Sequence, residues 1–311
     1  MSGEGDLIAR LRALATHPAA RGLLDDAAVI PAPVGRDLVL THDMLVEGVH
    51  FLPACPPGDV AWKLLAVNLS DLAAKGATPM GVLMGYGLIG DSGWDTAFID
   101  GLARALSHLD VPLMGGDTVA KPTGQARVLG LTAIGQAPAG GVPDRRGAKV
   151  GDHLWVTGPI GDAGLGLRIA LGEIEGPRRL LKAYRLPMPR LALGRALASH
   201  VTAMADVSDG LLIDAQRIAA ASGLSVTIDL AAVPLSDEAK ALGLYPLTAA
   251  TAVDDYQLLF ASSSAEVDRI ASEHRVPVAR IGRFEEGAGL ILRDGATPVD
   301  LPPSLGWEHR A

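Results

Sequence analysis

Aspartate outnumbers glutamate by 25 to 10 in this chain of 311 residues. Surface helices usually draw on Glu, whereas Asp favours caps, turns and tight oxygen-ligand sites. Most of these aspartates fit caps and turns, but several stand where apolar runs begin or end. Asp25 and Asp26 precede one run, and Asp43 follows the run ending at Thr41, with His42 between them. Asp117 follows Gly115-Gly116, and Asp206 and Asp209 bracket Val207 and Ser208 at a strand-to-helix junction. Asn68 and Asp71, three apart on a helix, share one face, opposite its leucine stripe. Strand ends are where α/β proteins place ligands. Two carboxylates 4 Å apart repel by ~4 kcal/mol at an effective dielectric of ~20, so a cluster of them calls for cations or protons. Hard oxygen ligands select Mg²⁺ or Ca²⁺ over zinc. Each residue alone also has a plainer reading: Asp209 capping the helix from Gly210, Asp71 pairing with Lys75 at i,i+4, Asp117 in a Gly-Gly turn.

The elements that must position these groups alternate. An opening amphipathic helix carries Leu7, Ile8, Leu11 and Leu14, and short strands are predicted at 27–30 and 37–41 around a Pro/Gly turn. The clearest helix covers 61–75, with Trp62, Leu65, Leu69 and Leu72 as its buried stripe and Gly76 and Pro79 as stop signals. The apolar run 80–89 reads as a fully buried strand. A helix at 96–109 and a strand at 127–134 follow. Residues 138–150, rich in Gly, Pro and charge, are the candidate linker between a domain at 1–137 and another at 151–311. The second half restarts with a strand at 153–157, then a glycine-spaced turn (Gly158, Gly161, Gly164) opening a helix. Further on are a strand at 204–207, a helix at 210–221 and a strand at 225–230.

Composition narrows the function. Hydrophobic residues make up 49% and charged residues 20%, enough for a sizeable core, and the aromatic share of 4% favours α/β layers over an all-β sandwich. A net charge of −8 argues against nucleic acid as a partner. It does not argue against small phosphorylated ligands bridged by divalent cations. Cys55 is the single cysteine, which leaves no disulfide framework and no thiolate zinc site. Without an apolar run long enough for a signal peptide or a membrane span, the expectation is a cytoplasmic protein with no membrane partner. No G-x-x-x-x-G-K-[ST] is present, and the glycines from 158 to 166 do not fit G-x-G-x-x-G.

Several segments, in order and spacing, resemble thiamine-monophosphate kinase: THDMLVEGVHF (41–51), AVNLSDLAAKGATP (66–79), GGDT (115–118), VSDGLLIDAQRIA (207–219) and DDYQLLF (254–260). RRGAKVGDHLWVTG (145–158) and GWEH (306–309) also look like that family, so the resemblance spans essentially the whole chain. It implies a two-domain α/β (α+β) protein with the aminoimidazole ribonucleotide synthetase-like fold, whose N-terminal sheets pair across a homodimer. It implies ATP as co-substrate, several Mg²⁺ ions, and phosphorylation of thiamine monophosphate to the diphosphate by in-line transfer. Carried over by position, Asp26, Thr41, Asp43, Asp71, Asp117, Asp206 and Asp209 match metal ligands, with His42 a further candidate. Asp71, Asp206 and Asp209 would be the catalytic set. Gly116, Asp117, Arg145 and Ser208 match ATP contacts, and His50, Asp254 and Trp307 match acceptor contacts.

The family usually has Gly-Asp-Asp where Leu24-Asp25-Asp26 stands here, and Thr-Asp-Thr where His42-Asp43-Met44 stands. Its Gly-Gly-Glu-Asp-Tyr-Glu is replaced by Ala252-Val253-Asp254-Asp255-Tyr256-Gln257. The alternatives are another ATP-dependent enzyme of the same fold group, such as aminoimidazole ribonucleotide synthetase, or a non-catalytic nucleotide and metal binder.

Overall fold

A computed structural model describes residues 4–24, 27–122 and 124–308. The chain forms two compact units, one of residues 1–72 with 78–137 and one of residues 73–77 with 138–311.

The first unit runs α1 (Glu4–Leu14), β1 (Leu38–Val46), α2 (Pro57–Ala74), β2 (Thr78–Leu88), α3 (Ser92–Leu109), β3 (Leu113–Ala120) and β4 (Val128–Gln136), the end of α2 belonging to the second unit. Its strands form a sheet in the order β1-β4-β2-β3, with β2 and β3 parallel and β4 antiparallel to both β1 and β2. The parallel pair needs a crossover, and α3 supplies it. One face of the sheet is covered by α2 and α3. There Thr41 of β1 meets Asp71 of α2, and the Tyr86 ring of β2 lies 5.2 Å from Phe98 of α3. The opposite face is largely open: Leu40 and Met44 are 62% and 50% exposed.

Four local expectations change. Residues 27–30 form no strand: Ala28 and Ile30 pack on Met114 and Ile134, and Val29 donates one backbone bond to Ala19. The prolines at 31 and 33 lack the N–H donors a longer ladder would need. β1 continues past Thr41 to Val46, so Asp43 lies inside a strand, as Asp117 does in β3. Only Asp206 ends its strand, as the last residue of β6 (Ala203–Asp206). β2 buries Val82, Met84 and Tyr86 on its helix-facing side, while its other side is mixed, with Gly81 and Gly87 buried, Leu83 half-buried and Gly85 exposed. Finally, α2 is buried nearly all round: Asn68 is fully buried and so is Ser70, so the polar stripe faces protein, not water.

The second unit runs β5 (His153–Thr157), α4 (Asp162–Ala170), α5 (Arg178–Arg185), α6 (Leu191–Leu197), β6, α7 (Leu211–Ser222), β7 (Ser225–Asp229), α8 (Asp237–Ala241), α9 (Pro246–Ala250), β8 (Leu258–Ser262), α10 (Val267–Glu273), β9 (Val278–Glu285), β10 (Gly289–Asp294) and β11 (Thr297–Val299). The seven-stranded sheet has the order β11-β10-β7-β9-β5-β8-β6, mixed in direction. Apolar cores fill both faces. One joins Leu154, Val156, Leu259 and Ala261 to Leu211, Ala215 and Ile218 of α7. The other joins Leu258, Phe260 and Met204 to Leu193 and Leu197 of α6. Residues 138–150 lie in this unit, where the Ala148 N–H donates to Ser222 Oγ.

Candidate active site

In the first unit the strand period of two sorts the candidates onto opposite faces. Thr41 Oγ1 donates to Asp71 Oδ2, and Asp43 lies on the same strand face. The buried Asn68 ties the two elements together: its Oδ1 accepts from the Asp43 N–H at 2.9 Å and its Nδ2 donates to the Leu64 carbonyl at 2.9 Å. A side-chain amide suits this clamp because it both donates and accepts. Thr41, Asp43 and Asp71 therefore present only oxygen donors, the chemistry that suits Mg²⁺.

His42 alternates to the open face, where its Nδ1 lies 2.9 Å from Thr132 Oγ1. Asp117 is there too, across the register from Gly85, Gly130 and Met44. Both line a cavity of about 630 Å³ with Leu83, Met114 and Ile134. Within this unit His42 and Asp117 are thus separated from Asp71 by the sheet. Gly116, beside Asp117, has φ +156°, and a Cβ there would fall 2.0 Å from the Met84 carbonyl oxygen, so no side chain fits. His50 is folded back on its own turn: its Nδ1 accepts from the Val46 N–H at 3.0 Å. Its carbonyl accepts from Lys63 Nζ at 3.0 Å. Asp26 lies outside the described residues. Among the described residues, no three His, Cys, Asp or Glu side chains gather closely enough to hold a metal ion.

In the second unit the sheet edge formed by the ends of β5, β6 and β8 collects Asp206, Ser208, Asp209, Asp254 and Trp307, while Arg145 lies by the opposite end of β6. Asp206 pairs in register with Leu258. Beyond the strand ends the pairing continues through the Val207 N–H to Gln257 at 2.8 Å, the Tyr256 N–H to Val207 at 2.8 Å and the Asp254 N–H to Ser208 at 2.9 Å. The Trp307 N–H donates to the Asp209 carbonyl at 2.8 Å, which ties the chain's last described segment to the same loop. The Asp206–Asp209 loop is therefore held between the 254–257 segment and the Trp307 segment. Asp254 and Tyr256 have φ of +70° and +47°, left-handed values uncommon for such residues.

Asp209 does not cap α7; Gly210 takes the cap position without a side-chain bond. Instead Arg217 Nη1 donates to Asp209 Oδ2 at 2.6 Å and to Asp214 Oδ1 at 2.8 Å. Asp214, which is not among the candidates read from the sequence, is buried and accepts the Ser208 and Asp209 N–H groups at 3.1 and 3.2 Å. Burial raises its carboxyl above the ordinary range, and Arg217 opposes that. The Asp214–Arg217 spacing of three, on one helix face, was the available signal.

The glycine-spaced turn before α4 also has its explanation. Asp255 accepts the Gly161 N–H at 2.8 Å and the Ala163 N–H at 3.3 Å, taking the place where an external phosphate would sit. Full burial lifts the Asp255 carboxyl to about 8, with the two N–H bonds pulling it down. Arg145 lies exposed in a single 3-10 turn, its carbonyl accepting from Ser222 Oγ at 3.3 Å. Trp307 is half exposed.

Fold and sheet edges define the class: residues 24–137 match the AIR synthase related protein N-terminal domain, and residues 149–295 match the C-terminal domain of the same family. A thiamine-monophosphate kinase of Caulobacter vibrioides is 44% identical over 98% of this chain and 90% of its own length. The crystal structure of thiamine-monophosphate kinase from Stenotrophomonas maltophilia superposes with a TM-score of 0.83 at 35% identity, covering 92% of this chain and 94% of that one. AaThiL complexed with AMPPCP and TMP superposes at 0.78 with 28% identity, over 99% and 97% of the two chains. The chain belongs to the thiamine-monophosphate kinase family within the AIR synthase related proteins.

Proposed function

We propose that this protein transfers the γ-phosphoryl group of ATP to thiamine monophosphate, giving thiamine diphosphate, with Mg²⁺ required. The observation that carries the reading is the likeness, over nearly the full length of both chains, to a relative bound to AMPPCP and TMP together. The acceptor oxygen belongs to a phosphate already ionised at neutral pH, so no strong general base is needed. The obstacle is bringing two polyanions together, and bound Mg²⁺ supplies charge neutralisation and alignment.

The chain's own residues do the positioning. Asp71, Asp206 and Asp209, with Asp26, Asp43 and Asp117, are proposed to hold the ions, Thr41 orienting Asp71 through its hydroxyl. Gly116, Asp117, Arg145 and Ser208 are assigned to the nucleotide, and His50, Asp254 and Trp307 to the acceptor. The backbone ladder from Val207 to Gln257 fixes the acceptor segment against the Asp206–Asp209 loop. We further propose that the domain at 1–137 binds nucleotide and pairs two copies through its open sheet face. No described helix is long and apolar enough to cross a membrane, and ATP dependence fits the cytoplasm. The test is an assay of ATP- and Mg²⁺-dependent thiamine diphosphate formation. No turnover of thiamine monophosphate with any divalent cation would overturn the proposal.

A further inference from the structure

Arg190 is partly buried beside the sheet edge just described, and its environment is unusual for a buried arginine. Its Nε donates to Gln257 Oε1 at 3.0 Å, and neither Nη group has a hydrogen-bond or ion-pair partner among the described residues. Buried charges are ordinarily paired, because an isolated ion loses its hydration without return. Burial alone pushes the Arg190 guanidinium below its ordinary range, with no neighbouring carboxylate to raise it. Gln257 in turn is fixed: Thr157 Oγ1 donates to the same Oε1 at 2.9 Å and accepts from the Leu258 N–H at 2.9 Å. Gly158, at φ +58°, lets the chain pass so close that a Cβ would sit 2.5 Å from Gln257 Oε1. The guanidinium is therefore aimed by a packed amide, and its Nη groups, bonded to no described protein atom, stay open to solvent and to a ligand.

The placement gives that fork a purpose. β8 is antiparallel to both β5 and β6, so Thr157, Gln257 and Asp206 stand at one edge of the sheet. The neutral amide at 257 is the deciding residue, since a carboxylate there would neutralise Arg190. Asp206 at the same sheet edge, and Asp209 and Asp254 in the loops beyond it, give that edge a carboxylate character that suits a phosphate carrying a divalent cation better than a bare carboxylate ligand. A planar two-pronged donor matches phosphate oxygens.

We infer that Arg190, aimed by Gln257 and Thr157, is a phosphate-binding residue that takes a phosphate or diphosphate group of a cation-paired ligand. The site rests on the proposed function only for which phosphate it is: the nucleotide's or the acceptor's.

The probe is inorganic diphosphate with MgCl₂, titrated calorimetrically into the full chain. Wild type is expected to bind it. Arg190→Gln should weaken binding by about tenfold or more, the scale of one charge-assisted hydrogen bond. Gln257→Glu, which sets a carboxylate against the guanidinium with little change of volume, should weaken it in the same direction. The melting temperature of Arg190→Gln should hold, because the Nη groups it removes bond no described protein atom. Equal affinities in all three proteins, or no binding by wild type, would overturn the site. Repeating the titration with AMPPCP and with thiamine monophosphate identifies the source as the ligand whose affinity falls in Arg190→Gln. If wild type bound neither of these, the proposed function would fail, while the diphosphate result would still decide on Arg190.

Discussion

Arg217 Nη1 sits 2.6 Å from Asp209 Oδ2 while the same nitrogen holds the buried Asp214 at 2.8 Å. A cation of the protein thus already occupies a carboxylate that the family resemblance assigns to Mg²⁺. Asp214 also anchors the Ser208 and Asp209 N–H groups, so Arg217 has a second tether and would stay in place if the loop bound an ion as proposed. The guanidinium then lowers the negative charge that Asp209 offers. Arg217→Gln is expected to tighten divalent-cation binding roughly two- to fivefold, the scale of a partly exposed ion pair. Mn²⁺ titration followed by electron paramagnetic resonance reads this directly, and an unchanged or weaker affinity would rule out competition by Arg217.

The Thr41–Asp71 bond makes a second prediction. Asp71→Asn keeps the shape and removes the charge, so thiamine diphosphate formation should fall by about a hundredfold or more if Asp71 holds an ion. Thr41→Val removes only the donor that orients Asp71 and should cost about ten- to a hundredfold, as outer partners of metal ligands do. Thr41→Ser should restore most of it. Undiminished activity in Asp71→Asn would take Asp71 out of the mechanism.

Local signals carried much of the architecture and little of the site's wiring. β5 was bounded at its true residues because a short apolar run between Gly/Asp and Gly leaves no other option. α2 was legible from period and stop signals, but not that it would be buried on its polar side, which depends on Asp43 of β1 reaching Asn68. The separation of His42 from Thr41 and Asp43 follows from strand alternation once β1 is known to run to Val46. It was hidden only by ending the strand early. Asp255 capping α4 from a position 92 to 94 residues away, and Gln257 aiming Arg190 from 67 residues away, have no local trace at all.

Asp255 should also leave a mark on stability. Its folded-state carboxyl is raised to about 8 from the ordinary 3.8, so the folded state holds the proton more tightly than the unfolded chain. The stability it contributes is full below about pH 4 and is lost as pH rises toward 8, at about 1.4 kcal/mol for each pH unit crossed. Asp255→Asn keeps an oxygen for the Gly161 and Ala163 N–H groups but cannot titrate. Denaturant midpoints measured between pH 5 and 8.5 should fall with pH more steeply in wild type than in Asp255→Asn. Parallel profiles would show that Asp255 is ionised throughout, held so by the two N–H bonds.

The open face of the first sheet sets the last prediction. Leu38, Leu40 and Met44 lie on one face of β1 and are all exposed. A row of exposed apolar side chains along an edge strand is suited to serve as an interaction surface. A two-fold pairing of identical sheets would bury it against itself. A charge placed there would be desolvated twice in a symmetric dimer, once from each copy. Leu40→Asp should therefore shift the protein from dimer to monomer in light scattering. Because Leu40 is largely exposed within its own chain, the monomer should keep its helical circular dichroism signal. Wild-type protein that scatters as a monomer at micromolar concentration would refute the pairing. A dimer untouched by both Leu40→Asp and Met44→Asp would move the interface away from this face.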